Sequence, residues 1–340
     1  MNDLKPPDDQ SIDWPFIAPM TVLLVLGIVG IVYGGIRDAR TAKEAARKRD
    51  ELRKELDAKP VGKAPYRIPY DLARPDWYQV LPIELNEVSG FAVNAEGEGG
   101  WAVNDEEGLL FPFALAEGLM GQPYEFAGRG DYEGLEIVGD QVVVARSDGE
   151  LYRIRQGKTE KVESLLDYEY DIEGLALDGA RSRLLVACKG QAGPGKAFKG
   201  MRGIYAVTLP TFEWQETPVY LISFKDLKKF IRDVDVEGMK GSDAKHFAPS
   251  GVAVSPDDQH IYVISSVGRM LVVLSVRGEI EAVAPLSRRV HRQPEGLAFD
   301  THGSLYISNE GRDGAGTILR FDPKDANEDA DLDAQYEAEE

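Results

Sequence analysis

An internal repeat of about 45 residues dominates this sequence and limits the folds open to it. Each copy begins with a Glu-Gly or Ser-Gly pair and a short apolar run. A turn rich in Gly, Asp or Asn follows, and then further apolar runs. The glycine of the pair occurs five times, at residues 90, 134, 174, 251 and 296. Repeated units of four short antiparallel strands are typical of propeller blades. The sequence therefore predicts an all-β fold, a β-propeller, over residues 77–322.

The strand count favours a five-bladed β-propeller. Four units carry four predicted strands, whereas the fifth ends at Phe321 without a fourth. A spare strand lies before the first unit, within residues 77–85. Its pairing with the last unit would close the ring and leave no free edge. The interval from Glu173 to Ser250 is unusually long, and six blades are the alternative count. Residues 224–247, inside that interval, show the apolar spacing of a helix.

A membrane anchor is predicted near the N-terminus. Residues 1–15 form an acidic tail. Residues 16–36 carry no charge, and this segment is long enough for one transmembrane helix. Lys5 is the one basic residue before this span, and a cluster of basic residues follows it. The positive-inside rule then favours a cytoplasmic propeller.

The remaining segments are polar. Residues 37–58 are predicted to form a charged juxtamembrane helix, which serves either as a solvated spacer or as a coiled-coil arm. Residues 59–76 are rich in proline and are interpreted as a linker. Residues 323–340 are acidic and contain almost no large apolar side chains, which predicts a disordered tail.

The charge balance restricts the partners. The chain has a formal net charge of −19, whereas binding to nucleic acid phosphates needs a basic surface, so nucleic acid is excluded as a main partner. One cysteine excludes an internal disulfide framework. The partners that remain are the membrane and either a protein or a small anionic ligand.

Polar side chains at the strand ends are predicted to meet on one rim of the propeller. In an antiparallel pair the first strand begins beside the point where the second ends. The predicted ligand-binding residues of this rim are Glu87, Asn104, Asp105, Arg146, Lys189 and Ser265.

Converging carboxylates repel one another unless a cation or a hydrogen bond compensates them. Ca²⁺ prefers six to eight oxygen ligands. The predicted metal ligands are Glu133, Glu173, Glu295, Asn309 and Glu310. Two alternatives stay open. In the first, these glutamates have a structural role and either lock neighbouring blades together or pair with Arg146 or Lys189. In the second, one of them is catalytic.

Five motifs taken together resemble the SdiA-regulated β-propeller family. They start at Asn86 (Asn-Glu-Val-Ser-Gly), Asp131 (Asp-Tyr-Glu-Gly-Leu), Asp171 (Asp-Ile-Glu-Gly-Leu), Pro249 (Pro-Ser-Gly-Val-Ala-Val-Ser-Pro) and Gln293 (Gln-Pro-Glu-Gly-Leu-Ala-Phe). The wider group is similar to propellers related to NHL repeats and to esterase-like phytases. The resemblance implies Ca²⁺ on the propeller axis, a bacterial inner-membrane location and an extracytoplasmic propeller, and it implies no settled reaction. The side of the membrane therefore stays open.

These features predict a membrane-tethered binding or scaffold module with Ca²⁺ at the channel rim. The alternative is a metal-dependent hydrolase of phosphoesters or lactones, in which the cation would polarise the substrate. Whether the protein is an enzyme is left open by the sequence.

Overall fold

The computed structural model describes residues 47, 66–115, 118–312 and 314–324, without the side chain of Leu119. Within them the strands form five antiparallel sheets, each of which is one blade. The alternative count of six blades is therefore wrong. Each inner strand packs beside the next, and the last packs beside the first.

The blades follow one another along the chain. Blade 1 contains β2 (Val88–Val93), β3 (Gly99–Asn104), β4 (Leu109–Ala114), β5 (Leu119–Met120) and β6 (Tyr124–Glu125); blade 2 contains β7 (Tyr132–Val138), β8 (Gln141–Arg146), β9 (Leu151–Arg155) and β10 (Lys158–Val162). Blade 3 contains β11 (Ile172–Asp178), β12 (Arg183–Cys188), β13 (Met201–Thr208), β14 (Glu213–Trp214) and β15 (Tyr220–Ser223). Blade 4 contains β16 (Gly251–Val254), β17 (His260–Ser265), β18 (Met270–Ser275) and β19 (Ile280–Pro285); blade 5 contains β20 (Pro294–Phe299), β21 (Leu305–Asn309), β22 (Thr317–Phe321) and β1 (Trp77–Val80).

The ring closes through β1, the spare strand of the sequence analysis. β1 pairs antiparallel with β22, with Trp77 opposite Arg320 and Val80 opposite Thr317. The predicted closure is confirmed. Blade 5 thus joins the first strand of the propeller to its last three, and each of the five blades has an outer strand.

The outer strands of blades 1 and 3 differ from the sequence prediction, which gave each blade one continuous fourth strand. In blade 1 both β5 and β6 pair with β4. In blade 3 both β14 and β15 pair with β13. The outermost strand packs against one neighbour only, so an interruption there breaks few contacts.

The long interval before Ser250 contains a helix, as its apolar spacing predicts. Helix α1 (Phe224–Asp233) begins after Ser223, whose hydroxyl accepts a hydrogen bond from the Asp226 N–H at 3.4 Å. Leu227 and Ile231 of α1 are buried in the core between blades 3 and 4. Shorter 3₁₀ turns cover Ile83–Leu85, Gly179–Arg181, Lys196–Phe198 and Gly241–His246.

Five glycines allow the inner strands to approach closely at the axis. A Cβ at Gly251 would lie 2.5 Å from the carbonyl oxygen of Glu295, and one at Gly174 would lie 3.1 Å from the Cα of Gly251. A Cβ at Gly134 would lie 3.1 Å from the backbone nitrogen of Leu175. The repeated glycine is therefore required by the contact between blades.

Residues 66–76 form a strap across blades 4 and 5. They belong to the stretch that the sequence analysis interpreted as a linker. Tyr66 stacks on His260 with ring centroids 4.0 Å apart, and its N–H donates to the Glu281 carbonyl at 3.0 Å. The Leu72 carbonyl accepts a hydrogen bond from the Nε2 of the buried His291 at 2.8 Å.

The predicted transmembrane helix, juxtamembrane helix and most of the acidic tail lie outside the described residues. In the part of the chain that the structure describes, no helix has the length and apolar character needed to cross a membrane.

Candidate functional site

The inner two strands of each blade bring the predicted residues to one rim. Val88 at the start of β2 lies opposite Asn104 at the end of β3, and Pro294 of β20 lies opposite Asn309 of β21. The strap meets the other end of the blades, because Tyr70 donates to the carbonyl of Gly303 in the β20–β21 turn. The strap also reaches the loop before β20, because the Leu72 carbonyl accepts a hydrogen bond from His291.

Two of the five positions before the axial glycines link neighbouring blades. The Ser89 hydroxyl donates to the Tyr132 carbonyl of blade 2 at 2.5 Å. The Ser250 hydroxyl donates to the Pro294 carbonyl of blade 5 at 2.7 Å. These serines perform the blade-locking role that the sequence analysis left open for the glutamates.

Glu133, Glu173 and Glu295 occupy the other three positions and border the narrow axial channel. Lys189, just after β12, is ion-paired with Glu173. Burial, reinforced by Glu173, raises the pKa of Glu133 well above its usual range. Burial likewise raises the pKa of Glu295 to about 7, against a hydrogen bond from Gln293 that favours the carboxylate.

The ammonium of Lys189 is the cation that balances these carboxylates. Burial disfavours its charge, but the carboxylate of Glu173 outweighs this and raises the pKa of Lys189 to about 12. Burial also raises the pKa of Glu173, although Lys189 opposes the shift.

Two of the predicted calcium ligands already have partners within the protein. Glu173 is held by Lys189, and the Glu310 carboxylate accepts a hydrogen bond from Gln293. Across the described residues, no group of three or more His, Cys, Asp or Glu side chains is arranged to hold a metal ion. Calcium binding stays a prediction of the sequence.

A basic pocket opens beside Glu295, with a volume of about 430 Å³. Its four cationic side chains come from blades 3, 4 and 5: Lys189, Arg269, Arg288 and Arg312. Ser250, Ser266 and Gln293 add hydrogen-bonding groups to its wall. On a chain of net charge −19, this pocket concentrates positive charge.

The guanidinium of Arg269 is fixed by backbone carbonyls. It donates to the carbonyl of His291 at 3.0 Å and to that of Arg292 at 2.9 Å. Burial, and then the positive charges of Arg288 and Arg312, lower the pKa of Arg269. Arg269 is therefore close enough to both of these arginines to be repelled by them.

An acidic pocket of about 470 Å³ lies on the blade 1 side of the same rim. Its wall includes Glu87 and Asn104, but the Asn104 amide is engaged by the Glu84 carbonyl at 3.0 Å and by the Glu107 N–H at 3.0 Å. Burial, with Glu87 next, raises the pKa of Asp105. The rim thus has an acidic side and a basic side.

Arg146, Ser265 and Asn309 are among the predicted site residues that line neither pocket. Arg146 binds Asp148 at 2.5 Å within its own blade. The Ser265 hydroxyl accepts hydrogen bonds from the N–H groups of Ala248, at 3.0 Å, and Gly268, at 2.9 Å. Asn309 is buried, and its amide has no hydrogen-bond partner among the described residues.

The sequence analysis missed Arg269, Arg288 and Arg312, which contribute most of the basic pocket. Arg288 lies in the loop before blade 5, Arg312 lies in the β21–β22 loop of blade 5, and Arg269 ends the turn after β17. One available signal was the group of arginines at 288, 289 and 292, which is unusual in an acidic chain. Only the packing of neighbouring blades shows that these loops meet.

Residues 216–312, which contain the three arginines, match a known family model. That family is the SdiA-regulated family. The resemblance identified from the motifs is confirmed over these residues, which cover blade 4, the two inner strands of blade 5 and the interval before them.

A comparison with curated proteins finds no match. Among solved structures, a chain of a nidogen/laminin complex is 12% identical, with a TM-score of 0.43, covering 65% of this chain and 72% of that one. A luciferin-regenerating enzyme is 11% identical, with a TM-score of 0.42, covering 73% of this chain and 95% of that one. Neither similarity bears on the function of this chain.

Proposed function

We propose that this protein is a membrane-tethered binding module whose basic pocket holds a small anionic ligand. One observation carries the proposal: Lys189, Arg269, Arg288 and Arg312 surround one cavity on a strongly acidic chain. Guanidinium groups suit carboxylate and phosphate oxygens, because their planar N–H groups can donate in pairs.

The ion pairs of the molecule support this choice. Among the described residues, no Asp or Glu carboxylate forms an ion pair with Arg269, Arg288 or Arg312. Elsewhere on the surface, arginines such as Arg155 have an acidic neighbour, here Asp140 at 2.7 Å. Clustered guanidiniums without an ion-pair partner are expected where a ligand supplies opposite charge.

The test is calorimetric titration of the full chain, in detergent micelles, with inorganic phosphate and with citrate. We expect at least one of them to bind to the wild-type protein. Arg288→Gln should weaken that binding about tenfold or more, since a charged hydrogen bond contributes about 1.5–3 kcal/mol. Arg155→Gln, a matched change on blade 2, should leave it unaltered. Absence of binding by both anions would refute the proposal.

A metal-dependent hydrolase is the second candidate, because the carboxyl group of Glu295 borders the same pocket as the cations. A bound anionic substrate would then lie next to a potential acid or base. Hydrolysis of p-nitrophenyl phosphate or of a simple lactone would support this candidate if Glu295→Gln abolished it without abolishing anion binding. A pure binding module shows neither activity.

The tether is tested separately. We expect the full chain to sediment with membranes and to resist extraction by high salt, whereas a chain lacking residues 16–36 should be released. Reporter fusions at the C-terminus, one active in the cytoplasm and one active outside it, decide between the two sides that the basic cluster and the family resemblance favour.

A further inference from the structure

Two of the arginines in the basic pocket have an unusual backbone conformation. Arg269 has a φ of 51° and Arg312 has a φ of 49°. Side chains with a Cβ disfavour this left-handed region, and glycine and asparagine are the residues that occupy it most readily. Both positions are turns at the rim, where glycine would serve the backbone equally well.

The same two side chains are oriented by hydrogen bonds. Arg269 donates to two carbonyls of the loop before blade 5, and Arg312 donates to the Oε1 of Gln293. Gln293 in turn donates to Glu310. A strained backbone conformation persists only where the surrounding structure holds the residue in place, and such residues cluster at functional sites. Two strained residues with oriented charges therefore favour a binding site.

The number of guanidiniums restricts the ligand. Arg288 completes a group of three on one cavity, and Lys189 adds a fourth cation that is already paired with Glu173. A lone carboxylate carries one negative charge and two oxygens, which leaves part of this group uncompensated. A phosphate group carries up to two negative charges at neutral pH and three terminal oxygens, so three guanidiniums can donate to it together.

We infer that the ligand of the basic pocket bears a phosphate group, and that Arg269 and Arg312 are the residues that determine this specificity. The inference rests on the proposed anion-binding function and names its ligand class. The phosphate belongs either to a soluble phosphorylated molecule or to a lipid headgroup.

The test compares four probes on the full chain: inorganic phosphate, glucose 6-phosphate, citrate and vesicles that contain phosphatidic acid. We expect a phosphate-bearing probe to bind more tightly than citrate. Binding of glucose 6-phosphate identifies a soluble ligand, and binding of phosphatidic acid alone identifies a lipid; either supports the inference. Tighter binding of citrate overturns the inference and keeps the proposed function, and absence of all binding overturns both.

Variants at the strained positions provide an independent readout. In Arg312→Gly we expect affinity for the phosphate probe to fall about tenfold or more, since a charged hydrogen bond is lost. The melting temperature of the ligand-free chain should stay the same or rise, because glycine relieves the strain. Arg312→Lys should retain part of the affinity, since it keeps the charge but not the planar fork.

Gln156→Gly is the matched control. Gln156 also has a left-handed backbone, with a φ of 48°, but it lies in the β9–β10 turn of blade 2. Its replacement should change the melting temperature in the same direction and leave phosphate binding intact. Unchanged phosphate affinity in both Arg312→Gly and Arg269→Gly would overturn the assignment of these residues.

Discussion

At the residue scale, the two residues of each Ser-Gly or Glu-Gly pair have different roles. The glycines permit contact between blades, and the preceding side chains either lock blades or form the charged axis. Ser89 and Ser250 bind the next blade through its carbonyls, whereas Glu133, Glu173 and Glu295 converge at the channel. One repeated motif thus supports both the fold and the candidate site.

The axial glycines give the first prediction. Gly251→Ala should lower the free energy of unfolding by about 1–3 kcal/mol, because the new methyl group would overlap the backbone of blade 5. Gly179→Ala is the control, since a Cβ added there would have no atom within 4 Å and its φ is not left-handed. Denaturant titration measures both; equal losses in the two variants would contradict the close approach.

His291 gives a prediction for pH. Burial lowers the pKa of His291 from 6.5 to about 4, against the hydrogen bond to Leu72. Between these values the unfolded chain binds the proton and the folded chain does not, so this group destabilises the fold as the pH falls. From pH 7 to pH 4 the wild type should lose about 3 kcal/mol more than His291→Gln.

The control for His291 is His302→Gln, at an exposed position. Unfolding of the wild type and both variants by denaturant, at a series of pH values, gives the three curves. His302→Gln should run parallel to the wild type. If His291→Gln also did so, the neutral buried imidazole would not be the cause of the acid sensitivity.

Lys189 gives a prediction about calcium. Because its ammonium already balances Glu173, we expect excess Ca²⁺ to leave the melting temperature of the full chain unchanged relative to chelator. A bound ion at 100 times its dissociation constant would add about 2.7 kcal/mol and raise the melting temperature. Such a rise, abolished by Glu133→Gln, would restore the calcium site that the sequence predicts.

At the element scale, closure by β1 holds the ends of the propeller together. Without β1, blade 5 would expose the edge of β22 and part of the core that Trp77 and Leu81 cover. We expect a chain that begins at residue 82 to unfold with a lower, broader transition and to aggregate, since open edges pair with other chains. A chain that ends at Lys324 is the control and should unfold as the full chain does.

Some secondary-structure elements could be predicted from sequence patterns and others could not. The inner three strands of each blade follow from short apolar runs bounded by turn signals, because burial on both faces of a blade favours continuous apolar runs. The broken outer strands of blades 1 and 3 do not follow, since short polar edges carry little periodicity. The strap at residues 66–76 was interpreted as a linker because of its prolines. Prolines are typical of linkers and also of extended segments that pack on a surface, so they do not distinguish the two.

At the scale of the whole molecule, charge is distributed unevenly around the rim. The acidic pocket borders blade 1, whereas the basic pocket lies where blades 3, 4 and 5 meet. Arg288 and Arg312 are exposed, so salt should screen the attraction of the pocket for anions. We expect phosphate affinity to fall as sodium chloride rises from about 0.05 to about 0.5 M.

Arg155→Gln again provides the reference for this test. That variant should show the same dependence on salt as the wild type, whereas Arg288→Gln should show a weaker one. Affinity that does not respond to salt would mean that the bound anion is held by groups other than these exposed arginines.

The sequence by itself determined the propeller, its five blades and the strand that closes it, since the repeat and the glycines encode local structure and close packing. It also identified Lys189 and the three axial glutamates as rim residues. Only the tertiary structure decided what the predicted rim residues contact. Lys189 pairs with Glu173, Arg146 pairs with Asp148, and the amide of Asn104 donates to a backbone carbonyl. The basic pocket came from the tertiary structure as well, because its cations lie in separate loops of blades 3, 4 and 5 that meet only when these blades pack side by side.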